Sequence, residues 1–169
     1  MTRERLVLEP YAAENPEVGR WLSALEDSRR RTIRSTEGIT PEDIDRTPPD
    51  GANSIGTLLY HVAAIEADWL FTEILEGTEP WPKDLFPFDV REQGGRLTPV
   101  KLRHHLERLD AVRSLLLSYL RKMVADDFHR PRPLDGYDVS PDWVLHHLMQ
   151  HEAEHRAQID AVRLEPSSP

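Results

Sequence analysis

The sequence predicts an all-α fold, a four-helix bundle with up-down-down-up topology. Three observations support this prediction. Four stretches repeat apolar residues at three- and four-residue steps, the period of one helix face. Strand patterns are weak along the whole chain, so helices must supply the packing layers. One connection is much longer than the others, which sets the order of helix directions. We expect a single domain over residues 1–169, because a chain of this length suits one core.

The first two helices are predicted at about 16–37 and about 54–77. Ser54 is the expected N-cap of the second helix and Gly77 its expected C-terminal stop. The core-facing positions of the first helix are Val18, Trp21, Leu22, Leu25, Ser28, Thr32 and Ile33, and those of the second are Leu58, Val62, Ile65, Trp69 and Ile74.

The third and fourth helices are predicted at about 98–126 and about 140–164. Each begins with a cap residue followed by proline, Thr98-Pro99 and Ser140-Pro141. The apolar face of the third helix is Leu102, Leu106, Leu109, Leu116, Leu120 and Met123. The inward positions of the fourth are Val144, Leu148, His151, His155, Ile159 and Val162. Two positions of the fourth helix where an apolar residue is expected are therefore histidine.

The connections predict the topology. Residues 38–53 and 127–139 are short loops that join antiparallel neighbours, whereas 78–97 is longer than ordinary helix–helix loops. At ~3.3 Å per residue that segment can run the length of a long helix. We therefore expect a crossover that makes the second and third helices parallel, with the second and fourth antiparallel. Its aromatic residues Trp81, Phe86 and Phe88 are expected to pin it onto the bundle.

Composition excludes several classes of protein. There are 21 Lys and Arg against 30 Asp and Glu, a net charge of −9, which argues against a nucleic-acid partner. The absence of cysteine excludes disulfides, thiolate zinc sites and a cysteine nucleophile. No apolar stretch approaches the ~20 residues of a membrane span, and no signal-peptide core is present. We expect a cytoplasmic protein with a small-molecule substrate and no membrane partner; exposed bundle faces are compatible with a homodimer.

The histidines are the most informative residues. His151 and His155 are four residues apart, so their side chains lie one above the other on the fourth helix. His61 lies at the edge of the core-facing stripe of the second helix, at a matching depth. Three imidazoles suit a divalent metal, with zinc expected first and nickel or iron as alternatives. Two other interpretations stay open: core histidines paired with Glu152, Glu154 or carbonyl groups, and a competing chelate of His147 with His151.

Residues 151–155 also match H-E-x-x-H, the helix motif of zinc proteases. Only 14 residues follow His155, which leaves no ordinary room for a downstream third ligand. Glu152 is next to an inward position, so we expect it on the flank of the helix. The sequence does not favour a metalloprotease.

Two segments, GANSIGTLLYHVAAIEADWL around His61 and HEAEHRAQI near the C-terminus, resemble the DinB-like superfamily, whose motifs are a histidine on the second helix and H-x-x-x-H-R-x-Q on the fourth. The resemblance implies an up-down-down-up bundle that holds a divalent metal through His61, His151 and His155. Relatives include S-transferases that use low-molecular-weight thiols such as mycothiol or bacillithiol, and a mycothiol-dependent maleylpyruvate isomerase. Ala157 departs from the glycine that relatives often have, which affects packing more than ligation.

The leading functional hypothesis is a metal-dependent, low-molecular-weight-thiol S-transferase, with the pocket between the loop 38–53, the end of the crossover and the end of the fourth helix. The alternatives are a metal-dependent hydrolase on the same site, a non-catalytic metal-binding stress protein, and a bundle without metal. Arg156 and Gln158 match the family motif and are candidates to orient a ligand imidazole, as are Glu152 and His147.

The other polar residues have ordinary explanations in the sequence. His104, His105, His129 and His146 are expected on the surface or in loops, and Glu66 and Asp68 are expected to be solvent-exposed. The run Arg29–Arg31 with Arg34 is expected on the outer face of the first helix. Arg156 is expected to form a salt bridge to Glu152 or to the second helix.

Overall fold

The computed structural model describes residues 3, 5–48, 51–87 and 100–164. In chain order its elements are α1 (Pro16–Ser35), α2 (Pro41–Ile44), α3 (Ile55–Asp68), a π-helical segment (Trp69–Ile74), α4 (Leu102–Leu120), α5 (Ala125–His129), β1 (Arg132–Leu134), β2 (Tyr137–Val139) and α6 (Pro141–Leu164). The long helices α1, α3, α4 and α6 form a four-helix bundle, in which α1 packs on α6 and α3 packs on both α4 and α6.

Contacts at the helix ends fix the helix directions. Arg163 near the end of α6 donates to the carbonyl of Ser35 at the end of α1, so these two helices are parallel. Trp69, after α3, packs on Trp143 at the start of α6, so α3 and α6 are antiparallel. At the start of α4, His105 lies against Gly56 at the start of α3, so α3 and α4 are parallel. The topology is up-down-down-up, as the sequence predicts.

Side-chain caps begin α1 and α3. Asn15 accepts a hydrogen bond from the backbone N–H of Glu17 at 2.8 Å, and Ser54 accepts one from Thr57 at 3.3 Å. The helix that starts at Ser54 continues beyond Asp68 as the π-helical segment and is followed by Gly77 at φ 67°. The predicted bounds of this second helix therefore agree with the structure, but its last turns have a wider helical geometry.

The third helix is shorter than predicted. It ends at Leu120, and the chain begins a separate helix, α5, at Ala125. Asp126 and Asp127 lie in the first turn of α5, where the helix dipole favours a negative charge; at the C-terminus of a continuous helix the same carboxylates would be unfavourable. The predicted cap Thr98-Pro99 lies outside the described residues.

A short hairpin, β1 paired with β2, was not predicted. Arg132 pairs with Val139 and Leu134 with Tyr137, and Gly136 has φ 96° in the turn. The dipeptide Asp135-Gly136 is a typical two-residue hairpin turn, so the signal was present but the strands are too short to show alternation.

The core lies between the four long helices and includes most of the predicted stripes. Val18, Leu22 and Leu25 are fully buried, whereas Ile33 is 42% exposed, so its predicted inward position is wrong. Trp81 and Phe86 pack on the core and on each other, as the crossover interpretation predicts. Phe88 lies outside the described residues. Within the described residues, no helix is long and apolar enough to span a membrane.

Candidate metal centre

Three histidines from two antiparallel helices meet at the interface of α3 and α6. Nε2 of His151 lies 3.1 Å from Nε2 of His61 and 3.0 Å from Nε2 of His155. One ligand atom from each of the three lies within 4.8 Å of the others, and all three side chains are half-buried. His151 and His155 are adjacent because they are one helical turn apart, and α3 brings His61 against them.

The donor set suits a divalent cation, and two of its three nitrogen pairs have nearly the spacing of ligands in one site. Zinc is bound by histidine nitrogens at ~2.0–2.1 Å, which places two nitrogens of a tetrahedral site ~3.3 Å apart. Burial, followed by repulsion from His155 and His61, lowers the pKa of His151 to about 3. His151 is therefore neutral at pH 7, the form whose ring nitrogen can donate its lone pair to a metal. The three-histidine group can hold a metal ion.

Gln158 orients one of the three imidazoles. Nδ1 of His155 donates a hydrogen bond to Oε1 of Gln158, at 2.8 Å. A proton on Nδ1 leaves the lone pair on Nε2, the atom that faces the other two histidines. Gln158 is therefore the hydrogen-bond partner of one of the three histidines.

Glu152 follows His151 but points into the bundle, and it is 2% exposed rather than on the helix flank. Its two carboxylate oxygens accept hydrogen bonds from Arg29 Nε at 2.7 Å and Arg113 Nη2 at 3.2 Å. The predicted pairing of Arg156 with Glu152 is absent among the described residues, and Arg156 Nη1 is buried without a hydrogen-bond partner there.

Glu66 completes a buried ion-pair network beside the histidines. It was expected to be exposed but is 2% exposed, and it accepts hydrogen bonds from Arg113 Nε and Nη2 at 2.8 and 2.9 Å and from Arg29 Nη2 at 2.6 Å. Arg29 was expected on the outer face of α1 and is 5% exposed. The network therefore joins all four long helices through two guanidiniums and two carboxylates.

The network is electrically balanced. Burial raises the pKa of the Glu66 carboxyl, but the guanidiniums of Arg113 and Arg29 more than reverse this and hold it below its ordinary value. Burial lowers the pKa of Arg113, but Glu66 and Glu152 more than reverse this and raise it. Glu66 and Arg113 are therefore ionised at neutral pH.

His147 lies outside the group of three. Its ring stacks on Trp143 with the centroids 5.3 Å apart and the planes 7° apart, and Trp69 packs on it at 4.9 Å. Its ring centroid is 6.0 Å from that of His151. His147 is not among the histidines whose ligand atoms converge, and it lies instead in an aromatic cluster that was not predicted.

The remaining histidines are divided between surface and core. His104 and His146 are exposed, as predicted. His129 is also exposed, and its two ring nitrogens pair with Glu17 and Asp142 at the starts of α1 and α6. His105 was expected on the surface, but it is 1% exposed, and its buried Nε2 has no hydrogen-bond partner among the described residues.

A groove of about 300 Å³ lies next to Gln158, the hydrogen-bond partner of His155, although none of the three histidines lines it. It is lined by residues of the loop before α3 and of the last turns of α6: Pro48, Ala52, Asn53, Leu58, Gln158, Ala161 and Val162. Leu58 is one turn before His61, and Gln158 is hydrogen-bonded to His155. The groove therefore lies between two of the three elements predicted to border the pocket, the loop 38–53 and the end of the fourth helix; the end of the crossover lies outside the described residues.

Solved structures similar to this chain include the following two. A conserved protein from Enterococcus faecalis has a TM-score of 0.68 at 15% identity, covering 85% of this chain and 92% of that chain. YfiT from Bacillus subtilis, described as a probable metal-dependent hydrolase with an unusual four-helix bundle topology, has a TM-score of 0.63 at 16% identity, covering 96% of this chain and 90% of that chain. At such identities the likeness concerns the fold.

Sequence comparison gives the family. No curated protein matches the chain. The family model of the DinB superfamily matches residues 24–159, a range that contains His61, His151 and His155. This match covers most of the chain and agrees with the bundle topology, and the chain therefore belongs to the DinB superfamily.

Proposed function

We propose that the protein is a divalent-metal-dependent enzyme, a low-molecular-weight-thiol S-transferase whose metal is held by His61, His151 and His155. The observation that carries the proposal is the approach of three imidazole Nε2 atoms, 3.0 and 3.1 Å apart, beside an open groove. Half-burial of the three side chains leaves one side of the group accessible to a ligand. Zinc is the expected ion, with nickel or iron as alternatives.

A divalent cation in a three-imidazole site lowers the pKa of a thiol or water bound to it and so supplies a nucleophile at neutral pH. Residues around the three histidines fix the orientation and the protonation state of the ligands. The hydrogen bond from His155 to Gln158 fixes the imidazole tautomer, and the low pKa of His151 keeps that side chain neutral. The Glu152 ion pairs tie the helix turn that contains His151 to the bundle.

The groove supports a reaction between two small molecules. The chain has no cysteine, so the sulfur of a transferase must come from a separate thiol such as mycothiol or bacillithiol. A space of about 300 Å³ is at the lower end of the volumes of small-molecule sites. We place part of the thiol there, next to Gln158.

The first experiment measures metal content by mass spectrometry on tag-free protein. We expect about one transition-metal ion per chain in the wild type and none in the His61→Ala/His155→Ala double variant. His104→Ala/His146→Ala, which removes two exposed histidines, is the matched control and should retain the metal. Absence of metal after reconstitution with zinc, nickel or iron would contradict the proposal.

The second experiment measures turnover of an electrophilic dye with mycothiol or bacillithiol by the metal-loaded protein. Activity that is lost in His155→Ala and retained in His104→Ala supports the transferase. Full activity in His155→Ala would contradict it. A chain that binds metal but turns over no electrophile would instead be a non-catalytic metal-binding protein.

A metal-dependent hydrolase is the second candidate, favoured by the description of the similar YfiT structure. The same three histidines and the same groove would then serve a bound water in place of a thiol. Ester and amide substrates tested without added thiol separate the two functions. Turnover under those conditions favours the hydrolase, whereas strict dependence on thiol favours the transferase.

A further inference from the structure

Four ring side chains line one stripe of α6 and end in the metal centre. Trp143, His147, His151 and His155 are spaced four residues apart, so each lies one turn above the last. Trp69 packs across Trp143 and His147, with ring centroids 5.5 and 4.9 Å away, and Tyr137 packs on Trp69 at 6.5 Å. We call Trp69, Tyr137, Trp143 and His147 the aromatic cluster.

The aromatic cluster is open to solvent on the side away from the core. Trp143 is 48% exposed and Tyr137 is 47% exposed, whereas Trp69 and His147 are half-buried. Exposed rings grouped in one place mark interaction sites more often than single exposed apolar residues do. The rings also hold each other in place, so little side-chain entropy remains to be lost when a ligand binds.

The backbone of this region is unusual where it presents Trp69. The π-helical segment begins at this residue, directly after the regular turns of α3. π-helical turns are rare and occur frequently at functional sites, because the wider turn changes the direction of the side chains. Trp69 therefore contacts α6 from the first position of this segment, eight residues beyond the metal-binding candidate His61.

The charges around the aromatic cluster disfavour an anionic ligand group. The Tyr137 hydroxyl donates to the buried carboxylate of Glu73 at 3.1 Å. Asp142, next to Trp143, is paired with His129. Carboxylates thus border the cluster in a chain of net charge −9, which disfavours an anion. Planar aromatic groups bind such surfaces by offset or edge-to-face stacking.

We propose that the aromatic cluster is a substrate subsite that takes an uncharged planar aromatic group of the electrophile, beside the metal centre. The inference rests on the proposed function, since it places the reacting part of the ligand toward His151. His147 stacks on Trp143 and lies 6.0 Å, ring centroid to ring centroid, from His151. A ring bound on the cluster is therefore adjacent to a residue of the metal group.

Binding is tested with p-nitroanisole, an uncharged aromatic probe, on metal-free protein. The chain has four tryptophans, and their indole N–H signals in NMR spectra are assigned with single variants. We expect the probe to shift the Trp69 and Trp143 signals and to leave those of Trp21 and Trp81 unchanged. Methoxycyclohexane, the saturated control, should bind more weakly. Equal shifts at all four tryptophans would overturn the inference.

Variants on α6 test which side chain binds the probe. Trp143→Ala should weaken binding about tenfold, whereas Trp143→Phe, which keeps a ring, should weaken it less. Leu164→Ala removes an exposed apolar side chain at the other end of the same helix and should have no effect. Unchanged probe binding in Trp143→Ala overturns the inference. A Trp143→Ala variant that changes its oligomeric state but binds the probe as the wild type does also overturns it.

Cobalt-loaded protein tests whether the bound probe is next to the metal centre. Paramagnetic Co²⁺ at the three histidines should accelerate relaxation of the probe's ring protons, and the His61→Ala/His155→Ala variant should abolish this effect. A wild-type chain that takes up Co²⁺ and binds the probe without enhanced relaxation overturns the subsite. A chain that binds the probe through Trp143 but retains no metal refutes the proposed function and still supports an aromatic site.

Discussion

Replacement of Arg113 by methionine unbalances the buried ion-pair network. The guanidinium makes two hydrogen bonds to Glu66, at 2.8 and 2.9 Å, one to Glu152 at 3.2 Å and one to Glu26 at 2.7 Å. Methionine fills much of the same space but leaves the two buried carboxylates with only Arg29. One buried negative charge is then uncompensated.

The expected cost follows from the burial of these groups. Glu66 and Glu152 are each 2% exposed, so water cannot replace the lost partner without opening the bundle. Removal of one member of a buried ion pair costs about 3–5 kcal/mol. That is a large fraction of the ~5–15 kcal/mol by which domains are stable. Glu26→Gln, at the rim of the network where the side chain is 34% exposed, should cost less than about 1 kcal/mol.

Urea unfolding followed by circular dichroism measures Arg113→Met, Glu26→Gln, Glu66→Gln and the double variant Arg113→Met/Glu66→Gln. The double variant removes one charge of each sign and leaves Arg29 paired with Glu152, so its loss should be smaller than the sum of the two single losses. A coupling energy of about 0.5–3 kcal/mol is expected for such neighbours. A loss below 1 kcal/mol for Arg113→Met, or additive losses in the double variant, would refute the reasoning.

Three further predictions concern stability. A Cβ at Gly19 would lie 2.4 Å from the backbone oxygen of Tyr11, so Gly19→Ala should lower the urea midpoint instead of giving the usual helix-propensity gain. Burial, helped by the charge of Arg108, lowers the pKa of His105 to about 4, so the unfolded chain takes up a proton near pH 6.5 before the folded chain does. The contribution of His105 to stability should therefore fall by about 3 kcal/mol between pH 6.5 and 4, and His105→Gln should make the measured pH profile shallower. Hydrogen bonds to the carboxylates of Glu17 and Asp142, at the starts of α1 and α6, raise the pKa of His129. These contacts of the protonated ring therefore stabilise the folded chain fully below the ordinary pKa of histidine, and this stabilisation is lost as pH rises through the raised pKa. The difference in urea midpoint between wild type and His129→Gln should accordingly be larger at pH 6 than at pH 9; the opposite order would contradict this assignment.

The helical spacing of the four residues in the ion-pair network indicates buried positions, whereas their charged types indicate exposed ones. Arg29, Glu66, Arg113 and Glu152 each follow a buried apolar residue by four positions: Leu25, Val62, Leu109 and Leu148. Helical spacing therefore placed all four on inward faces. Charged residues are rarely buried without partners, so their types argued for the surface. Each of these four charged side chains finds its opposite charges on other helices, so its burial is stabilised only when the four helices pack together.

His105 is a second residue whose burial is indicated by its spacing but not by its residue type. Four residues before Leu109, it lies on the inward face of α4, although a lone histidine is ordinarily a surface residue. Its burial against Gly56 depends on α3 and α4 being parallel, because only then do the starts of the two helices meet. The spacing indicated the face, and the long crossover decided what lies opposite it.

The sequence by itself determined the features that depend on near neighbours in the chain. These are the four helical stripes, the Ser54 cap, and the spacing that places His151 above His155. The tertiary structure decided which side chains meet across helices: His61 with the histidine pair, the charges of the ion-pair network, and Trp69 with Trp143. The physical reason is range, because caps and helical turns span a few residues, whereas burial and ion pairing depend on groups that only folding brings together.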